Sequence, residues 1–292
     1  MVGIVETTTY GFIGLGQMGH GMAKNICLKA PETSLVIVYD IATQATQRLA
    51  SEFKGQGRNI QVATSPKEDV IFTSVPQAAH VRDVFLNPST GLLAAPKKEG
   101  RRKLYLELST IDVAVSSEVA AAVVDGGFGD FVDAPCSGGA MGAETGNLSF
   151  MIGCPDNLYP RVLELCKLMG KEESIFHCGN LGAGLKTKLL NNYLSSLTAL
   201  ATAETFNIGI RAGLDAKTSS SNGYNGGFSI ELCLGVLELA VKAGEDLGAT
   251  MPIGKPMLEA YRQVAADVRF KGKDSKAIYK WIGGSDPDLG EA

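Results

Sequence analysis

At 292 residues the chain is longer than one ordinary domain and fits two, and its 45 % hydrophobic content suffices for a full core. A net charge of −4 provides no broad basic field, so nucleic acid and anionic membrane surfaces are not expected partners. No apolar run approaches the roughly 18 to 20 residues that span a bilayer, so no membrane-embedded segment is expected.

Met1 to Tyr10 lacks Lys and Arg and runs straight into a strand pattern. It has the features of neither a signal peptide nor an Arg-rich transit sequence, and a cytoplasmic protein is the expectation. Short β-branched or aromatic runs then alternate with helical patterns. Candidate strands are Tyr10–Ile13, Ser34–Tyr39, Val70–Val75, Leu104–Leu108, Asp130–Asp133, Ser149–Ile152 and Ser174–His177. Helical stretches fall between them at Met18–Leu28, Thr43–Phe53, Asp112–Val124 and Asn157–Met169. Strands alternating with helices of this length imply βαβ units and a mainly parallel sheet.

The character changes after Gly184. From Leu185 to about Ala212 there is no proline, and Leu189, Leu190, Tyr193, Leu197 and Leu200 recur at helical spacing. A helix of about 28 residues is ~42 Å long, more than one small domain covers. It is expected to link the sheet domain to a helical one. Glu231–Leu247 and Pro256–Val268 also read as helices, and Thr218 to Gly227 as a polar loop.

Three motifs carry chemistry. In the first, Gly14-Leu15-Gly16-Gln17-Met18-Gly19, a GxGxxG turn follows a strand and opens a helix, which is the context a dinucleotide site requires. Gly14 permits the tight turn, Gly16 lets a pyrophosphate approach the backbone, and Gly19 lets helix and strand pack closely. The phosphates would rest on the N–H groups that begin the helix, at Gln17, Met18 and Gly19. Asp40 ends the next strand, where a carboxylate accepts hydrogen bonds from ribose hydroxyls and repels the 2′-phosphate of NADP. No Arg or Lys follows in Ile41-Ala42-Thr43-Gln44, so the expected cofactor is NAD. The plain alternative is an ordinary glycine turn with a helix-capping Asp. The fold expected is α/β: a Rossmann-type NAD-binding domain over residues 1–180, then a long linking helix and an all-α domain within 181–292.

The second motif is Asp133-Ala134-Pro135-Cys136-Ser137-Gly138-Gly139. A Ser-Gly-Gly turn after a strand presents one hydroxyl and several backbone N–H groups to a shared point, which suits a carboxylate. A glycine-rich turn without function reads the same. The third is Gly182-Ala183-Gly184 followed by Lys188 and Asn192, which share a helix face at i and i+4. A partly desolvated lysine there has a lowered pKa and can exchange a proton with an alcohol. Lys186, about 200° round the helix, should face elsewhere. On spacing alone a Lys/Asn pair is also an ordinary solvated face.

These motifs, in this order and at these separations, resemble the β-hydroxyacid dehydrogenase family. The resemblance covers most of the first 215 residues: Gly14 to Asn25, Leu108 to Asp112, Asp133 to Gly153, Gly182 to Asn192, and Ala203 to Asp215. It implies that Lys188 is the catalytic lysine and that Asn192 helps hold substrate. It also implies that Ser137, Gly138 and Gly139 bind the substrate carboxylate, that Thr110 lies beside nicotinamide and substrate, and that Val75 and Pro76 run along the cofactor. The implied reaction is hydride transfer between NAD and a short β-hydroxy acid of the 3-hydroxyisobutyrate kind. Members are commonly homo-oligomers, so a homo-oligomer is expected.

Two departures qualify the resemblance. Gly235-Val236 stands where the family usually has Lys-Asp in the helix after the turn at Phe228, and that lysine closes over the cofactor. The stretch from Asp215 to Gly226 looks about 20 to 30 residues shorter than in the family. Alternative functions are a reductase of small aldehyde acids such as glyoxylate or succinic semialdehyde, against which Asp40-Ile41 argues, and a non-catalytic NAD-binding protein. Imine reductases generally lack the lysine, and a 6-phosphogluconate enzyme needs a basic phosphate site and a longer helical domain. The six cysteines have no ligand spacing and read as reduced thiols, with neither disulfide nor metal site. His20, His80 and His177 read as structural or solvated, and Met18 and Met22 as packing the first helix.

Overall fold

Alternating apolar runs form a sheet, and the segments of helical period between them cover its two faces. The computed structural model describes residues 8–63, 69–96, 102–211, 224 and 227–284, with backbone only for 204–211. In chain order the first elements are β1 (Thr9–Ile13), α1 (Gly19–Lys29), β2 (Leu35–Tyr39), α2 (Thr43–Glu52), β3 (Asn59–Val62), β4 (Val70–Thr73) and α3 (Ala78–Leu86). Next come β5 (Lys103–Glu107), α4 (Val113–Asp125), β6 (Gly129–Asp133), β7 (Cys136–Ser137), α5 (Gly139–Thr145), β8 (Leu148–Gly153), α6 (Tyr159–Lys167) and β9 (Gly170–Gly179). Helices α7 (Ala183–Arg211), α8 (Ile230–Asp246), α9 (Gly254–Ala266) and α10 (Ile278–Trp281) follow among the described residues. It divides into two compact units, residues 1–188 and 189–292.

The sheet of the first unit runs in the order β3-β2-β1-β4-β5-β6-β8-β7, with β9 paired to β8. All neighbours from β3 to β6 are parallel, whereas β8 is antiparallel to β6 and β7 and parallel to β9. Strand order out from β1 reverses at β4, so the crevice at the carboxyl ends of β1 and β4 is the topological switch point, where ligands bind in such sheets.

Alternation along the strands builds two cores. Val70 and Phe72 of β4 and Leu104 and Leu106 of β5 join Met22, Ile26, Leu49, Val162 and Leu165 on one face. Ile71, Tyr105 and Phe131 join Val81 and Phe85 of α3 and Val115, Val119 and Val123 of α4 on the other. Helix α4 starts where Asp112 caps it, its carboxylate accepting from the Ala114 N–H at 2.7 Å.

The second unit packs Ile230, Cys233, Leu237 and Val241 of α8 against Met257, Leu258, Tyr261 and Val264 of α9 and Ile278 of α10. These positions recur every three or four residues, the stripe of a core-facing helix. Among the described residues its helices make the expected all-α unit, with one isolated bridge, Ser229 to Asp274.

Four elements depart from the sequence expectation. β3 is an edge strand with mostly exposed residues, so it lacks the apolar alternation that marks a strand. β7 is two residues long. α3 buries only Val81 and Phe85, too few for a clear period in nine residues. α5 is seven residues long with two glycines, a composition that reads as a turn. The polar stretch from Thr218 and the shortened segment between Asp215 and Gly226 lie, Tyr224 and Gly227 apart, outside the described residues.

Candidate functional site

The register of the parallel strands sets the site. Ile13 lies beside Tyr39 and Thr73, Thr73 beside Glu107, and Glu107 beside Asp133. The last residues of five strands therefore stand at one level, and the loops leaving them line a common crest. The expected residues from the Gly14 turn, Asp40, Val75-Pro76 and Thr110 all leave that crest.

The glycine turn is built by close approach. A Cβ on Gly14, whose φ is +93°, would sit 2.1 Å from the Ser74 carbonyl oxygen. A Cβ on Gly19 would sit 1.8 Å from the Gly14 carbonyl oxygen. Gly16 is exposed and has nothing within 4 Å of a Cβ position, so space opens over the turn at this one glycine. Helix α1 begins there without a side-chain cap and without an acid in its first turn. Gln17 is exposed and Met18 half-buried, beside a fully buried Met22. Asp40 is fixed at the lip: its carboxylate accepts from Leu15 N–H at 2.6 Å and from Ala42 N–H at 2.7 Å. Uncapped N–H groups, an opening at Gly16 and a fixed carboxylate are what a dinucleotide's pyrophosphate and ribose require.

Beyond β4, Val75 donates its N–H to the Ser109 hydroxyl at 2.9 Å, which ties the Val75-Pro76 loop to the segment carrying Thr110. Thr110 and Ser137 are half-buried, and Gly138 and Gly139 are exposed. Ser137 is held by the pairing of β7 with β8, where Cys136 opposes Phe150 and Ser137 opposes Ser149.

The two lysines of α7 separate as helical geometry requires. Lys186 is exposed, while Lys188 is only 6 % exposed. Burial holds the Lys188 pKa below its ordinary 10.5, and only an ionised Cys136 close by would offset part of that shift. Cys136 is itself pushed up to about 11 by burial, so it is a neutral thiol at pH 7 and no counter-ion. Asn192 follows one turn later on the same helix and is half-buried.

Glu107, Ser109 and Asp133 also belong to this crest; Ser109 and Asp133 lie within the quoted motifs, which give them no role, and Glu107 lies outside them. Glu107 and Asp133 are fully buried. Their sequence signal is an acid closing an apolar strand, after Leu104-Tyr105-Leu106 and after Phe131-Val132. One Glu107 oxygen accepts the Ser109 N–H at 2.9 Å, and the other has no protein partner among the described residues. Burial pushes Glu107 up to about 8, and it pushes Asp133 to about 6 against the pull of backbone N–H donors. Backbone N–H donors favour the charged form at Asp133, so of these two adjacent carboxyls Glu107 is the one that keeps its proton to higher pH.

The Glu107 shift has a consequence for stability. An unfolded chain releases this proton near 4.5, whereas the folded protein keeps it up to about 8. Between those values unfolding releases a proton, so stability falls as pH rises through the window. Glu107→Gln cannot ionise, so its melting temperature relative to wild type should rise from pH 5 to pH 8. A gap that stays constant across that range would show that Glu107 ionises normally.

Other candidates separate from the site. His20 pairs with Glu52 at 3.1 Å, and His177 bonds the Cys154 carbonyl at 2.8 Å while stacking on Tyr159. His80 is exposed. The six cysteines are unbridged, and no cluster of three or more metal-ligating side chains exists among the described residues. Gly235 is exposed on α8 with nothing within 4 Å of a Cβ position, and Val236 beside it is buried. Among the described residues no helix is long and apolar enough to cross a membrane.

Comparison with known proteins gives the family. A family model for the NAD-binding domain of 6-phosphogluconate dehydrogenase matches residues 9–180. The chain is 32 % identical to a mitochondrial 3-hydroxyisobutyrate dehydrogenase of Rattus norvegicus, across 96 % of this chain and 88 % of that protein. It is also 32 % identical to the 3-hydroxyisobutyrate dehydrogenase of Pseudomonas aeruginosa, across 96 % of this chain and 100 % of the other. The solved 3-hydroxyisobutyrate dehydrogenase of Mycobacterium tuberculosis, with L-serine, superposes with a TM-score of 0.80 at 27 % identity, covering 95 % of this chain and 100 % of that one. The chain therefore belongs to the β-hydroxyacid dehydrogenase family of NAD-binding oxidoreductases.

Proposed function

We propose that this protein oxidises a short β-hydroxy acid of the 3-hydroxyisobutyrate kind, with Lys188 as the proton acceptor. The observation that carries this reading is a lysine buried to 6 % exposure, with a neutral thiol rather than a carboxylate beside it, on the chain that follows the crest holding the glycine turn. Such an amine is neutral over a wider pH range than an ordinary lysine and can take the hydroxyl proton at Nζ. In the reverse direction the ammonium returns it. NAD, when bound, supplies the acceptor for the hydride that leaves the carbinol carbon.

The other residues bind and orient. Gly14, Gly16, Gln17, Met18 and Gly19 hold the pyrophosphate, Asp40 the adenosine ribose, and Val75 and Pro76 flank the cofactor beside Thr110. Ser137, Gly138 and Gly139 take the substrate carboxylate through one hydroxyl and backbone N–H groups, and Asn192 helps hold the substrate. Residues 1–180 form the nucleotide domain and residues 181–292 the domain of substrate closure and self-association. Exposed Leu190 and Leu194, one turn apart on α7, support a homo-oligomer.

A second reading, an NAD-binding protein without turnover, has Gly235 in its favour. The family's lysine that closes over the cofactor is missing at that exposed position. NADH formation at 340 nm with a panel of short hydroxy acids separates the two. Turnover with NAD exceeding that with NADP is expected, from a preparation that light scattering shows to be oligomeric. NAD binding without turnover would favour the second reading, and a preference for NADP would remove the role of Asp40.

A further inference from the structure

The reaction proposed above gives Asp133 no part, yet it is among the most completely buried charged side chains of the first unit. Its carboxylate accepts the Gly182 N–H at 2.7 Å and the Leu185 N–H at 2.8 Å, and the Gly184 N–H also reaches it. The first N–H groups of a helix have no acceptor within the helix, and a negative charge is favourable there. An ordinary cap comes from the residue adjoining the helix and holds one N–H, or two. This one comes from the end of β6, 49 and 52 residues earlier in the chain, and holds Gly182, just before α7, with one oxygen and Leu185 in its first turn with the other.

The contact depends on an absence of side chains. A Cβ on Gly153 would lie 2.4 Å from the Asp133 carboxylate, and one on Gly184 would lie 2.3 Å from the Met151 carbonyl oxygen. The start of α7 is therefore pressed onto the ends of β6 and β8, with rotation and depth set by one carboxylate. Lys188 follows Leu185 by three residues, less than one turn, and so inherits that rotation. The register neighbour of Asp133, Glu107, holds Ser109, whose hydroxyl holds the Val75 loop. The carboxyl pair thus references α7 and the cofactor loop to the same strand ends.

We propose that Asp133 is a positioning residue for Lys188, fixing the first turn of α7 to the sheet so that the amine meets the substrate hydroxyl. The proposal rests on Lys188 being the general acid/base. Asp133 is fully buried, with both carboxylate oxygens taken by backbone N–H groups. A buried charge is costly to maintain, and a hydroxyl cap would satisfy the helix end without it. Two fixed oxygens define the helix rotation, which a single-bond cap leaves free. The titratable groups that feel the Asp133 charge are Glu107 on β5 and Cys154 just beyond β8, whereas the titratable neighbour of Lys188 on α7 is Cys136 on β7.

Asp133→Asn tests it, because the amide keeps one acceptor oxygen and turns an NH2 group toward the other N–H. The assay is NADH formation from 3-hydroxyisobutyrate, or from whichever short hydroxy acid is turned over, with kcat, KM and the pH profile of kcat recorded. NAD affinity is measured separately by fluorescence titration. Displacement of reacting groups by a fraction of an ångström should lower kcat by about ten- to a hundredfold, with NAD affinity within about threefold of wild type. Because burial lowers the Lys188 pKa, a loosened first turn should move the acidic limb of the kcat profile up by about half a unit to one unit. Gly153→Ala, which pushes the carboxylate without removing it, should move the limb in the same direction.

A folded Asp133→Asn with an unmoved limb would overturn the proposal, even if its melting temperature fell, since a purely structural role predicts that pattern. Loss of soluble protein in both variants would place Asp133 in the fold alone and overturn it equally. If Lys188→Ala keeps full activity, the Lys188 reading fails first. If Lys188→Ala is crippled and Asp133→Asn keeps its limb, only the positioning role of Asp133 fails.

Discussion

Lys188→Ala should lower kcat for hydroxy acid oxidation by about 10² to 10⁴-fold, the usual contribution of a positioned acid/base, while NAD binding stays close to wild type. The control is Lys186→Ala, which removes the same charge from an exposed position of the same helix and should leave kcat unchanged. Wild-type oxidation should also carry the signature of the buried amine. Lys188 accepts a proton only when neutral, so the rate should rise with pH through its pKa, and that limb should lie below the ordinary lysine value of 10.5. Reduction of the aldehyde acid needs the ammonium and should fall through the same pKa. Steady-state kinetics in both directions across about pH 6 to 10 check all three outcomes. A Lys188→Ala enzyme with intact kcat, or a lysine limb at or above 10.5, would transfer the acid/base role to another group.

The parts of this site that sequence makes legible are those whose geometry is local. Gly14, Gly16 and Gly19 declare a turn through spacing alone, because strand, turn and helix follow within a dozen residues. Lys188 is separable from Lys186 because each helical residue adds a fixed rotation, and the structure leaves the first buried and the second exposed. The sheet is legible for the same reason, since buried parallel strands such as Val70–Thr73 read as unbroken apolar runs. Contacts between distant segments are illegible. Asp133 finds Gly182 and Leu185 only once β6 and β8 are neighbours, and nothing near Asp133 in the chain announces them. Ser109 likewise gains a function only when β4 and β5 pair and bring Val75 to it. Edge strand β3 is missed for a different reason: with little to bury, its residues carry no pattern to read.

The glycine turn yields the second large effect, as a contrast between neighbouring glycines. Gly14→Ala forces a Cβ into a left-handed position 2.1 Å from the Ser74 carbonyl oxygen, and Gly19→Ala forces one to 1.8 Å from the Gly14 carbonyl oxygen. Neither obstacle is a movable side chain, so β4 or α1 must shift. Strained backbone alone costs about 1 to 3 kcal/mol, and the lost packing adds to it. Both variants should melt well below wild type, with or without cofactor. Gly16→Ala meets nothing within 4 Å, and its φ is not in the left-handed range. That variant should fold with unchanged or slightly raised stability, since alanine restricts the unfolded chain by about 0.4 to 1 kcal/mol. Its cost should fall on NAD alone, because the methyl group occupies the space through which the pyrophosphate reaches the backbone. An affinity loss of about tenfold or more corresponds to about 1.4 kcal/mol of binding free energy. The readout is the melting temperature of each variant without NAD and its rise on adding NAD, which reports affinity by mass action. Gly16→Ala should match wild type in the first quantity and lose most of the second. Were it to keep the full NAD-induced rise, the phosphates would have to lie away from Gly16, and the opening over the turn would belong to some other ligand.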